Sequence, residues 1–201
     1  MPFGAAKAAL LGAAGSGGGS ATWEIISTTV ADGTTATYNF ASIPQTFRDL
    51  RLVVSAARTA AANDQFQVWV DIGSGIDTTA GNYGSRGVQS SNSSFGSMSV
   101  LNFSNQPGFD AEFPEIPDNG AANSTIWDFI DYANTAKLPG AIGWQQAVRP
   151  GSFNGHQVHG GWMYDNVGAI QAIRVQIATT TSSYFFKSPT TFTLFGRGTA
   201  D

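Results

Sequence analysis

After residue 22 the chain is written mostly in alternating apolar and polar positions, and each such stretch predicts a half-buried strand. In 48–58, Leu50, Leu52 and Val54 share one face while Arg51 and Val53 share the other. In 64–72, Phe66, Val68, Val70 and Ile72 oppose Gln65, Gln67, Trp69 and Asp71. In 124–132, Trp127 and Phe129 oppose Ile126 and Asp128. In 169–178, Ile173, Val175 and Ile177 oppose Ala172, Arg174 and Gln176, and in 190–195 Phe192 and Leu194 oppose Thr193 and Phe195. Weaker patterns predict strands at 23–30, 35–40, 95–103, 141–148 and 158–164. Asp32-Gly33, between the first two of these, reads as a hairpin turn. The glycine- and threonine-rich stretch 73–87 reads as a long loop, and Pro107, Pro114 and Pro117 make 106–123 irregular.

About ten short strands separated by turn signals predict an all-β fold, an antiparallel β-sandwich or jelly roll over residues 22–201. No segment beyond residue 15 keeps a helical period, strands and helices do not alternate, and no fixed-period repeat is present, so a parallel sheet with crossover helices is excluded.

Residues 1–21 differ from the rest. An apolar stretch with Phe3, Leu10 and Leu11 leads into the flexible linker Gly15-Ser16-Gly17-Gly18-Gly19-Ser20. The apolar run is far shorter than the ~20 residues a membrane span needs. A lone Lys7 and a glycine-interrupted core fit a secretory leader poorly. Phe3, Leu10 and Leu11 are therefore expected to form a short apolar anchor, docking on a partner or bundling with copies of the chain.

Composition narrows the chemistry. With no cysteine, disulfides, thiolate metal sites and cysteine nucleophiles are absent. A net charge of −4, with Lys7, Lys137 and Lys187 as the only lysines, argues against a nucleic-acid surface. His156 and His159 stand three apart in an expected strand, where they face opposite ways, so no metal site is expected from them. Asp128 and Asp131 likewise do not pair, Glu112, Glu115 and Asp118 fall in the proline-broken stretch, and Asp71 with Asp77 lacks calcium-loop spacing. No nucleophile elbow or phosphate loop is present. No catalytic residue, cofactor or metal is expected. Of the five tryptophans, Trp69 stands beside Gln65 and Gln67 on the polar side of its strand, which marks it as the candidate surface or interface aromatic.

Several segments in order resemble bacteriophage virion proteins of the tail or tail-fibre kind. These are the opening Met-Pro-Phe-Gly-Ala-Ala-Lys-Ala-Ala-Leu-Leu-Gly-Ala-Ala-Gly at 1–15, Glu24 to Val30, and above all Phe40 to Arg58, a strand, an Ile43-Pro44-Gln45 turn and a leucine-rich strand. Val68 to Ile72, Asn82-Tyr83 and Thr191 to Gly196 extend the series, whereas 84–164 matches weakly. The resemblance implies a β-sandwich with a non-enzymatic role in the virion. It also implies homo-oligomeric assembly, a trimer being plausible, and attachment to other tail or head proteins through residues 1–21. A capsid decoration protein and a carbohydrate-binding module recognising a host surface glycan are the alternatives. No membrane insertion is expected.

Overall fold

The computed structural model describes residues 22–55, 66–79, 81–90, 98–106, 109–111, 124–148, 155–177 and 185–200. These residues form twelve strands and no helix. The first six are β1 (Glu24–Val30), β2 (Thr37–Phe40), β3 (Asp49–Ser55), β4 (Phe66–Asp71), β5 (Tyr83–Ser90) and β6 (Met98–Gln106). The others are β7 (Phe109–Ala111), β8 (Ser124–Phe129), β9 (Gly140–Val148), β10 (Gly155–Tyr164), β11 (Ala172–Ile177) and β12 (Thr191–Arg197). They make an eight-stranded sheet, β1-β12-β3-β8-β9-β10-β5-β6, and a four-stranded sheet, β2-β11-β4-β7, with antiparallel pairing throughout. The sheets pack face to face as a β-sandwich.

The alternating residues build the core between them. Leu50, Leu52 and Val54 from β3, Trp127 and Phe129 from β8, and Phe192 and Leu194 from β12 are buried on the inner face of the large sheet. Phe66, Val68 and Val70 from β4 and Ile173, Val175 and Ile177 from β11 meet them from the small sheet. Phe66 packs edge-on against Trp127, centroids 5.4 Å apart, and Tyr38 stacks on Phe192 at 4.6 Å. Aromatic contacts thus join the two layers. Tyr83 adds a polar tie. From β5 of the large sheet, its hydroxyl accepts the Val70 N–H of the small sheet at 3.2 Å and donates to the Asp77 carbonyl at 2.8 Å.

Three glycines make room for the largest side chains. Gly143, Gly160 and Gly87 lie side by side on β9, β10 and β5. A Cβ on Gly143 would collide with the Ile126 carbonyl oxygen and come within 3.1 Å of the Trp162 ring and 3.2 Å of the Trp127 ring. A Cβ on Gly87 would lie 2.6 Å from the His159 carbonyl oxygen. Trp127 and Trp162, 6.1 Å apart and edge-on, occupy the inner space next to this row.

Three expectations change. Asp32-Gly33 does not close a hairpin: β1 pairs with β12 and β2 with β11, so the turn crosses between the sheets. The Asp32 carboxylate holds this arch by accepting the N–H groups of Thr34 at 2.8 Å and Thr35 at 2.9 Å, with Gly33 at φ +85°. The expected loop 73–87 runs into β5, because Gly87, which reads as loop, sits where a Cβ would meet the backbone of the neighbouring strand. Within 106–123 a three-residue strand, β7, pairs with β4. The chain outside the described residues includes the anchor residues Phe3, Leu10 and Leu11.

The glycines on the two faces of this sheet should behave oppositely. Gly143→Ala is expected to lower the stability of the native chain by about 3 kcal/mol, as overpacking against fixed backbone does. Gly161→Ala, whose Cβ would meet only the Ala141 carbonyl oxygen at 3.9 Å, should change it by no more than about 0.5 kcal/mol. Urea unfolding of the two variants measures the difference.

Candidate functional site

The outer face of the eight-stranded sheet carries most of the exposed apolar side chains among the described residues. On β9 the inward positions are small or polar (Ala141, Gly143, Gln145), whereas the outward positions hold Ile142 and Trp144, 66% and 39% exposed. On β10 the outward Met163 is 64% exposed. Ile130 and Leu138 are exposed beside Ile142 and Met163. A contiguous apolar area of this kind on a folded chain marks a contact surface.

Its centre is a shallow depression of about 790 Å³. Three neighbouring strands shape it by alternating a glycine with a large residue on the outer face. β9 offers Gly140 and Ile142, β10 offers Gly161 and Met163, and β5 offers Gly84 and Arg86. Register places Gly161 between Ile142 and Arg86, and Met163 between Gly140 and Gly84. The glycines form the floor, Ile142 and Met163 stand up from it, and Ile130 and Leu138 wall one side. Among the described residues, Arg86 is the one charged group on its lining.

Beside the depression the same face is polar and tightly paired. Arg51 makes two hydrogen bonds to Asp128, at 2.6 and 2.7 Å, and this pairing raises its pKa. Trp23 lies between two guanidinium groups, 4.4 Å from Arg51 and 4.5 Å from Arg197. Asp49 is 1% exposed and accepts hydrogen bonds from Arg48 at 3.0 Å, Arg197 at 2.9 Å and the Asp131 N–H at 3.2 Å. Burial pushes the Asp49 carboxyl up, but the two arginines outweigh it and hold it below the usual carboxylate range. Two cations on one indole fix where the chain enters this face.

The residues singled out in the sequence fall elsewhere or into structural roles. Trp69 is a correction. It does point away from the Phe66, Val68 and Val70 side, but it is only 9% exposed, because β4 is an interior strand of the small sheet covered on both faces. Arg174 lies over its ring at 5.9 Å. The exposed tryptophan is Trp144, which pairs across strands with His159. No local signal marks it: Ile142 and Trp144 are the large apolar positions of their strand, the side that alternation alone assigns to the core. His159 is exposed, and the His156 side chain lies outside the described residues. Asp128 is tied to Arg51, and Asp131 to Lys137 and Asn134. Asp71 accepts the N–H groups of Gly73 and Gly75, shaping the turn after β4. Glu112, Glu115 and Asp118 lie outside the described residues. Among the described residues no cluster of three metal-ligating side chains occurs, and no helix is long and apolar enough to cross a membrane.

Asp77 holds the far end of the β4–β5 connection. It accepts hydrogen bonds from the Tyr164 hydroxyl at 2.7 Å, the Asn82 amide at 2.6 Å and the Thr79 N–H at 2.7 Å. Burial pushes this carboxyl up, yet these donors outweigh it and bring it from 3.8 to about 2. The folded chain therefore favours the carboxylate. Its contribution is complete above the ordinary value of 3.8 and is lost as pH falls through about 2. Asp77→Asn removes that dependence, so the native chain should lose stability more steeply than the variant across this interval. Urea midpoints measured at several acid pH values check it, and parallel curves would contradict it.

Comparison of the chain with protein-family models, with curated proteins and with solved structures gives no match.

Proposed function

We propose that this chain is a non-enzymatic structural protein of a bacteriophage particle, a tail or tail-fibre component. In this reading it assembles with copies of itself and attaches to other virion proteins through residues 1–21. The observation that carries it is the apolar outer face of the large sheet, where Ile142, Trp144 and Met163 stand exposed together. Such a face gains by being covered, at about 25 cal/mol per Å² of apolar surface removed from water. The ordered resemblance over 1–83 and 165–196 supports placing that contact in a virion. The acidic candidates among the described residues bind turns and arginines, which supports a structural role over a hydrolytic one. The same contact surface would serve a capsid decoration protein.

A glycan-binding module is the second reading, and Trp144 favours it. An exposed indole beside His159 and Gln146 offers a flat apolar surface with polar neighbours, which is how a sugar ring is held.

Native mass of the full chain across a concentration series separates the two. The assembly reading expects one discrete closed oligomer to accumulate, and Trp144→Glu to shift its midpoint at least tenfold towards monomer. A chain that stays monomeric at every concentration, and that is retained on immobilised polysaccharide through Trp144, overturns assembly in favour of glycan binding.

A further inference from the structure

The depression on the outer face lies within reach of the chain's own apolar segment. Going from Ile25 back to Trp23, β1 runs towards the end of the sheet where Met163 and Gly140 lie, because Ile25 shares a cross-strand row with Arg51, Asp128, Ile142 and Gly161. Trp23, close to Arg51 and Arg197, places the start of the described chain on the outer face. From β1 to β10 is five strand spacings, about 24 Å at ~4.8 Å each. From Leu11 to Trp23 the chain is rich in glycine and serine. Twelve such steps have a root-mean-square reach of ~19 Å and a contour of ~40 Å. A tether whose reach matches the span gives the highest effective concentration of its end at the site, in the millimolar range.

Chemistry agrees with distance. The segment brings Phe3, Leu10 and Leu11 among alanines with the single charge of Lys7, and an apolar segment left in water is a liability. The depression brings Ile130, Leu138, Ile142 and Met163 over a glycine floor.

We propose that, in the free chain, residues 1–14 dock intramolecularly in this depression, with Leu10 and Leu11 packed over Gly161 between Ile142 and Met163. The docked segment is held as a stored contact element, which a partner must displace. The docking goes beyond the virion reading and stands whether or not the chain joins a particle.

Lys7 supplies the probe, since it is the only basic side chain before Arg48. Gly161→Leu fills the depression from its floor without touching the segment, and its Cβ has room, 3.9 Å from the Ala141 carbonyl oxygen. Trypsin cleavage after Lys7 in the full chain should be about tenfold faster in Gly161→Leu than in the native chain. The native rate should not depend on protein concentration. A second measurement leaves the sandwich untouched: Leu10→Asp with Leu11→Asp should raise the rate of Met163 oxidation by peroxide severalfold. Equal cleavage rates in the native chain and Gly161→Leu, or unchanged Met163 oxidation, overturn the docking. Protection that grows with protein concentration also overturns it, because the segment then lies on a neighbouring copy.

Discussion

The placement of side-chain-free positions in β9, β10 and β5 is the constraint on which the large sheet depends. On the inner face, Gly143, Gly160 and Gly87 stand in one cross-strand row, and the indoles of Trp127 and Trp162 lie against it. Any Cβ in that row meets backbone of the adjacent strand, which cannot move without breaking the ladder. On the outer face, Gly140, Gly161 and Gly84 alternate with Ile142, Met163 and Arg86 and leave a hollow instead. One set of glycines thus admits the core's largest residues, and the other opens an apolar hollow on the outer surface.

The two halves of the outer face do different work. Around Trp23, Arg51, Asp128 and Asp49 the groups satisfy one another, and the buried Asp49 carboxylate is fully paired. The partly exposed Arg51–Asp128 pair contributes little stability, at most about 1 kcal/mol. The effect of the group is geometric: with Trp23 against Arg51 and Arg197, it fixes the start of β1 on this face. Around Ile142, Trp144 and Met163 the groups have no such mutual arrangement, and burial by another surface is the gain left to them.

Much of the fold was legible in the sequence, and the misses have physical reasons. β3, β8, β11 and β12 were visible because strict alternation survives wherever one face is core and the other is polar. β5 was hidden because Gly84 and Gly87 carry a turn signal locally, while the packing requirement at Gly87 arises only in the folded sheet. The Asp32-Gly33 arch was misread because the partner of β1 is β12, at the opposite end of the chain, and local sequence does not record non-local pairing. Trp69 and Trp144 exchanged places for a related reason. A polar-looking strand face is covered in the small sheet, and an apolar strand face is open in the large one. The depression itself needed the strand order β9-β10-β5, which no single segment contains.

The central claim is that this outer face is a surface made to be covered by protein. Hydroxyl-radical footprinting of the full chain, dilute and then concentrated into its assembled state, tests it most directly. The account predicts that labelling of Trp144 falls severalfold on assembly while Val167, exposed in the connection between β10 and β11, stays equally reactive. Equal labelling of Trp144 in both states, with protection appearing elsewhere on the sandwich, would contradict it.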